Sequence, residues 1–336
     1  MQRLYSTLLY LITYFTVIII IFLLLELFTR IIFPEINYQG TDKRLIINRG
    51  EGNGYGLKPN INAQSFGKNI STDKYGFRRN NFIHNKEKPN WLLLGDSVVM
   101  GVGVNEDSTF SSHLSSKLKN WNILNGGVIG YSSEDYVLQL NHALQTLKIQ
   151  RVSLFFCLND IYNRESGIID ILPGETLRKL FGQTINFLRM NSALYLLTKN
   201  IIFDRSKNYF EFDNNLYIQK EELLYQAINN LIKIKNILKN NNIPFEMYLL
   251  PYEYQLRNPH QASIKQPQLK LMNSLKNYSI IVKDMFNYML QNSNGYSKEL
   301  FLYGDPMHLS NKGHRIVSNF ILLNLKNFDN QKINHY

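Results

Sequence analysis

The chain has 336 residues, 44% of them hydrophobic and 19% charged, a balance that supports a folded core and excludes a disordered chain. Its single cysteine, Cys157, excludes an intramolecular disulfide framework and a cysteine-based zinc cluster. Lys and Arg number 37 against 26 Asp and Glu, a formal charge of +11. That excess is spread along the chain and not gathered into a basic run interleaved with aromatics, so no nucleic-acid partner is expected.

The segment Thr7–Leu25, TLLYLITYFTVIIIIFLLL, carries no charge. A helix of this length rises roughly 28 Å, close to the hydrocarbon thickness of a bilayer. A cleaved signal peptide has a shorter apolar core of about 7–15 residues and a small-residue cleavage site. The segment has neither, so residues 1–33 read as a retained anchor whose partner is the membrane lipid. Arg3 precedes the span and Arg30, Lys43 and Arg44 follow it, so charge does not decide the orientation.

Residues 34–89 are rich in Gly, Asn and Pro around isolated aromatics and read as a juxtamembrane wrapping segment. From Asn90 the pattern changes. Short apolar runs at 91–96, 121–127, 152–160 and 243–251 suit buried parallel strands. Helical stretches lie between them, among them 221–241 with Leu and Ile at helical spacing, and a last helix is predicted over 312–325. This alternation predicts an α/β domain over 90–330, a parallel sheet covered on both faces. Residues 164–215 interrupt it as a helical insertion.

In such sheets the reactive groups stand just beyond the carboxyl ends of the strands. Three of the four predicted strands end there in small or polar clusters: Gly95-Asp96-Ser97, Asn125-Gly126-Gly127 and Asn159-Asp160. Ser97, after a strand and before a helix, can present its hydroxyl at the sheet edge and its N–H near a helix N-terminus. Gly127 allows close backbone approach, so its N–H is a candidate oxyanion donor, and the Asn159 amide is another. Asp305 lies three residues ahead of His308 in DPMHLSNKGHR, a spacing that can aim both side chains at one point. His308 then takes the Ser97 proton while Asp305 orients the ring. Taken singly, each of these is more often a helix cap or a turn residue; their order at successive strand ends carries the reading.

These residues together resemble the SGNH (GDSL-type) hydrolases. Gly95-Asp96-Ser97 resembles the nucleophile block, Asn125-Gly126-Gly127 the glycine block, CLND at 157–160 the G-x-N-D block, and Asp305 with His308 the D-x-x-H block. Cys157 stands where that third block usually has glycine. The resemblance implies a flavodoxin-like three-layer fold and a serine esterase or O-acyltransferase needing no metal or organic cofactor. It implies catalytic Ser97, His308 and Asp305, an oxyanion hole of Ser97, Gly127 and Asn159, and supporting Asp96 and Asp160. Residues 73–80, DKYGFRRN, resemble a segment of a membrane-anchored bacterial subgroup, with Asp73 in place of its usual Asn and Gly76, Phe77 and Arg78 kept. That likeness implies a catalytic domain outside the cytoplasm and an acylated envelope glycan or small ester as substrate. A non-catalytic glycan-binding or assembly protein on the same fold is the alternative.

Overall fold

The computed structural model describes residues 2–80, 84–163 and 175–333. It begins with a long helix, α1 (Gln2–Ile32), followed by two small antiparallel hairpins, β1 (Ile46–Asn48) with β2 (Tyr55–Leu57) and β3 (Asn62–Ser65) with β4 (Lys68–Ser71). The central strands are β5 (Asn90–Leu94), β6 (Asn122–Asn125), β7 (Ile149–Phe156), β8 (Phe245–Leu249) and β9 (Val282–Asp284). Between β5 and β8 run α2 (Ser97–Met100), α3 (Phe110–Lys117), α4 (Ser133–Thr146), α5 (Glu175–Asn191), α6 (Ala193–Ile202), α7 (Arg205–Gln219) and α8 (Glu221–Asn240). After β8 come α9 (Glu253–Arg257), α10 (Gln266–Lys276), α11 (Phe286–Asn292) and α12 (Asn311–Ile333).

The five central strands pair in the order β6-β5-β7-β8-β9, and every pairing is parallel. Renumbered along the sheet this is the 2-1-3-4-5 order of flavodoxin-like folds, whose strand order reverses between the first and third strands. Here that switch point falls between the carboxyl ends of β5 and β7. Each residue of β5, Asn-Trp-Leu-Leu-Leu, is buried, because layers on both faces leave no solvent side to match an alternating pattern. α4 and α8 pack together over one face, α3 and α12 over the other. On α8 the residues Leu224, Ala227, Ile228, Leu231, Ile234 and Leu238 form the buried stripe, the helical periodicity seen in the sequence.

All four predicted strands are present, each shorter than its apolar run. The fifth, β9, was not predicted: it is three residues long and only half-buried, too little for an apolar pattern. The last helix extends past Leu325 to Ile333. Of the predicted helical insertion, residues 164–174 lie outside the described residues, and the rest forms α5, α6 and the first part of α7.

Residues 34–80 are part of the same core. Leu45, Leu57, Ile70 and Phe77 are buried in one cluster with the sheet residues. Arg78 is buried too and donates to the carbonyl oxygens of Met100 (2.6 Å), Gly101 and Val104 (2.8 Å). A guanidinium is suited to this task because its planar fork serves several acceptors that the turn after α2 leaves without partners. Burial lowers its pKa to about 10, which still leaves it charged at neutral pH.

α1 is long and apolar enough to cross a membrane, and its side chains from Tyr5 through Leu25 are almost all exposed. Its last turns are fastened to the domain. Glu26 accepts hydrogen bonds from Ser192 Oγ (2.8 Å), Ala193 N (2.8 Å) and Leu194 N (3.0 Å) at the start of α6. A carboxylate there satisfies free N–H groups and faces the positive end of the helix dipole. Arg30 bridges back to Glu26 at 2.8 Å and donates to the Asn191 carbonyl at 2.8 Å.

Candidate active site

β5 ends in Gly95-Asp96, and the chain turns at once into α2, whose first residue is Ser97. Asp96 caps that helix by accepting from Val98 N at 2.8 Å, so the cap reading of Asp-Ser falls on Asp96 and not on Ser97. Ser97 N–H has no partner among the described residues, as expected of an N-terminal helical position. Ser97 Oγ lies 2.8 Å from His308 Nε2 and 3.3 Å from Asp96 Oδ2.

His308 is carried on the segment between α11 and α12, 211 positions from Ser97 in the chain. Its Nδ1 is 2.9 Å from Asp305 Oδ1 in an oblique approach, with the N–H not aimed along the line to that oxygen. Asp305 Oδ1 also accepts from the backbone N–H groups of Met307 (3.0 Å) and His308 (2.9 Å). Its other oxygen meets Arg205 Nη1 at 3.2 Å. Burial alone would raise the pKa of Asp305, but the neighbouring His308 and Arg205 charges and the hydrogen bonds from His308 hold it well below the carboxylate range. Asp305 is therefore ionised, and it is paired on both oxygens. Phe66 presses its ring edge-on to the imidazole, with centroids 5.1 Å apart.

Phe66 and Arg205 were not found by sequence reading. Phe66 and Gly67 form the two-residue turn of the β3–β4 hairpin, with φ of +51° and +72°. Only Asn, Asp or Gly is at ease with such values, so an aromatic there is a strained position held against His308. That oddity is visible only once the turn is known. Arg205 stands at the first position of α7, and no local signal links it to Asp305.

The expected second oxyanion donor is corrected by the structure. Gly127 N–H donates to Asn125 Oδ1 at 3.1 Å, inside the core. A Cβ on Gly127 would meet Met100 N at 2.1 Å, Val99 C at 2.6 Å and Asp96 O at 2.8 Å. This glycine lets the loop after β6 lie against the backbone of α2. A free backbone donor of that loop lies further on, at Gly130, which is exposed, has φ of +78° and has no partner for its N–H among the described residues. In sequence, the third glycine of NGGVIGYSS was the available signal.

Asn159 lies in the turn after β7, across the switch point from Ser97. Its Oδ1 is 3.2 Å from Tyr252 Oη, and its Nδ2 has no partner among the described residues. Tyr252 Oη is also 2.5 Å from Asp213 Oδ2, while Tyr162 Oη donates to Asp213 Oδ1. Asp160 is buried and accepts from Tyr136 Oη (2.6 Å) and Cys157 N (2.7 Å), which closes the turn that presents Asn159. Burial and the nearby Asp96 charge raise its pKa strongly, so its role is structural. Cys157 is buried with its thiol pKa pushed up, mainly by burial, as fits an inert packing residue. His314 is buried on α12, accepts from Phe110 N at 3.2 Å, and is held neutral by burial.

No family model matches the chain. A curated relative, the phenylalanine–tRNA ligase beta subunit of Mycoplasma mycoides, is 25% identical over 264 residues, which are 68% of this chain but 31% of that one. The chain thus spans less than a third of that subunit's length. Solved structures similar to it include a member of the lipolytic protein G-D-S-L family from Veillonella parvula, with 13% identity, a TM-score of 0.38 and 69% of this chain covering 96% of that one. Others are an acetyl xylan esterase, with 14% identity, a TM-score of 0.44 and coverages of 69% and 98%, and a psychrotrophic esterase from Pseudoalteromonas, with 11% identity, a TM-score of 0.42 and coverages of 72% and 100%. At these identities and scores the likeness decides nothing about activity, which has to rest on the site itself.

Proposed function

We propose that this chain is a membrane-anchored serine esterase or O-acyltransferase. The observation that carries the reading is the line Ser97 Oγ, His308 Nε2, His308 Nδ1, Asp305 Oδ1, with successive gaps of 2.8 and 2.9 Å, at the switch point of a parallel sheet. Ser97 Oγ attacks the ester carbonyl as its proton passes to His308 Nε2. Ionised Asp305 stabilises the imidazolium and keeps its ring in place. The proton then goes to the departing alcohol, leaving an acyl group on Ser97. Water, or the hydroxyl of a sugar, attacks that acyl-enzyme through the same base. The N–H of Ser97, the Nδ2 of Asn159 and the N–H of Gly130 receive the oxyanion.

The anchor supports a site close to the membrane surface, because Glu26 and Arg30 tie the end of α1 to α5 and α6. Phe187 and Met190 of α5 are exposed next to that junction, where a lipid interface would cover them. An acyl ester of an envelope glycan, reached from outside the cytoplasm, suits such a placement. A reporter enzyme active only in the periplasm, fused after Ile333, is expected to be active; activity of a cytoplasmic reporter instead would reverse the orientation.

The decisive experiment uses the full chain in detergent. It is expected to hydrolyse p-nitrophenyl acetate and to be labelled by a fluorophosphonate, and Ser97→Ala is expected to abolish labelling and lower kcat by on the order of 10⁴-fold or more. A folded wild-type chain that is neither active nor labelled would overturn the reading in favour of a glycan-binding protein on this fold.

A further inference from the structure

The hydrogen atoms around Asn159 do not add up if Asp213 is ionised. Tyr252 Oη is 2.5 Å from Asp213 Oδ2 and 3.2 Å from Asn159 Oδ1, and both of these oxygens are acceptors. A phenol has one hydrogen. If it is given to an Asp213 carboxylate, Tyr252 presents only lone pairs to Asn159 Oδ1. The amide is then stable only when turned over, with Nδ2 donating to Tyr252 and the carbonyl oxygen facing the reacting ester. If Asp213 carries a proton, all contacts are served at once: Asp213 donates to Tyr252, Tyr252 donates to Asn159 Oδ1, and Nδ2 is free for the oxyanion. Tyr162 donates to the remaining oxygen of Asp213 in either case.

We propose that Asp213 is a positioning residue that works as a neutral acid, setting the orientation of the Asn159 amide through the hydroxyl of Tyr252. The inference rests on Asn159 being an oxyanion donor. The surroundings of Asp213 agree with it. The side chain is fully buried, and among the described residues no cation pairs with it. The titratable groups facing it are Tyr162 on the turn after β7, Tyr252 before α9, Tyr217 on its own helix, and Cys157 and Asp160 at the end of β7. None of these is positive, and an ionised Asp160 would only oppose a second charge. Burial, against the pull of the two phenolic hydrogen bonds, moves the pKa of Asp213 up to about 7. The neutral form therefore dominates below neutrality and is lost above it.

Asp213→Asn separates this role from a merely structural one. An asparagine with Nδ2 toward Tyr252 and Oδ1 toward Tyr162 reproduces the neutral acid and cannot ionise. The full chain in detergent is assayed with p-nitrophenyl acetate from pH 5.5 to 9, with the uncatalysed rate subtracted. Wild-type kcat is expected to fall at least tenfold on the alkaline side with a midpoint near 7, as one oxyanion donor is worth on the order of 100–1,000-fold, with KM little changed. D213N is expected to match wild type near pH 6 and to keep that rate to pH 9. Superimposable profiles for D213N and wild type, or a D213N rate lowered by one factor at every pH, would overturn the proposal. If D213N does not fold, Tyr252→Phe decides: it is expected to lower kcat and erase the alkaline fall, and retention of that fall would overturn it. Ser97→Ala and fluorophosphonate labelling, run alongside, report on the serine mechanism separately, so a labelled enzyme with an unaltered D213N profile rejects only the role of Asp213.

Discussion

Asp305 and Asp213 are both buried carboxyls, yet they end in opposite protonation states. Asp305 has Arg205 at 3.2 Å, the His308 ring at 2.9 Å and two backbone N–H groups, and it stays ionised. Among the described residues the Asp213 carboxyl is hydrogen-bonded only by phenols, and burial takes its pKa up to about 7. The lesson is that burial does not set the charge of a carboxyl; the partners that share the burial do. In the proposed mechanism one acid is kept negative to stabilise an imidazolium, and the other is kept neutral so that it can donate.

The same chemical change at the two positions should therefore have opposite results. Asp305→Asn removes the charge that holds the imidazolium and is expected to lower kcat by on the order of 10⁴-fold, whereas D213N leaves the rate near pH 6 intact. Equal losses in the two variants would erase the distinction. Asn159→Ala, which removes the group that Asp213 is argued to orient, is expected to cost about 100–1,000-fold in kcat with the fold retained by circular dichroism; a variant within threefold of wild type would exclude Asn159 from the oxyanion hole. Arg205→Met withdraws the cation from Asp305 while filling similar space. Looser placement of the Asp305–His308 pair is expected to reduce kcat roughly 10- to 100-fold, and an unchanged rate would show that the backbone N–H groups suffice.

The last expected effect concerns stability. The folded-state pKa of Asp213 lies above its unfolded value near 3.9, so the folded state binds the extra proton between about pH 4 and pH 7. Its contribution to stability is complete below pH 4 and is lost as pH rises through about 7. D213N lacks this loss, which is on the order of a few kcal/mol, so its melting temperature is expected to gain on that of wild type from pH 4 to pH 7 and no further above. A constant difference across that range would mean that Asp213 does not titrate there.

Much of the α/β domain was legible because its strands are buried on both faces and read as apolar runs, such as WLLL in β5 and VSLFF in β7. β9 was not, since an edge strand of three half-buried residues has no such pattern. Ser97, Asn159, Asp305 and His308 were legible because they close strands or share one short loop. Gly127 was misread for a physical reason. A glycine after a strand says that the backbone passes close to something, and only the three-dimensional arrangement shows that the something is the backbone of α2 and not a substrate. Residues 34–89 read as a wrapping segment without periodicity, yet Arg78 reaches from it to the carbonyls beyond α2.

By itself, then, the sequence determined the apolar helix at its start, the alternating strands and helices, and the residue types that stand at the strand ends, because these depend on local periodicity and on neighbours a few positions apart. Tertiary structure alone decided which of these residues meet. The approach of Ser97 to His308 spans 211 positions, that of Arg205 to Asp305 spans 100, and that of Tyr252 to Asp213 spans 39. Charge states followed in turn: a carboxyl's ionisation depends on which cations, phenols and amides the fold packs around it, and no spacing along the chain records that.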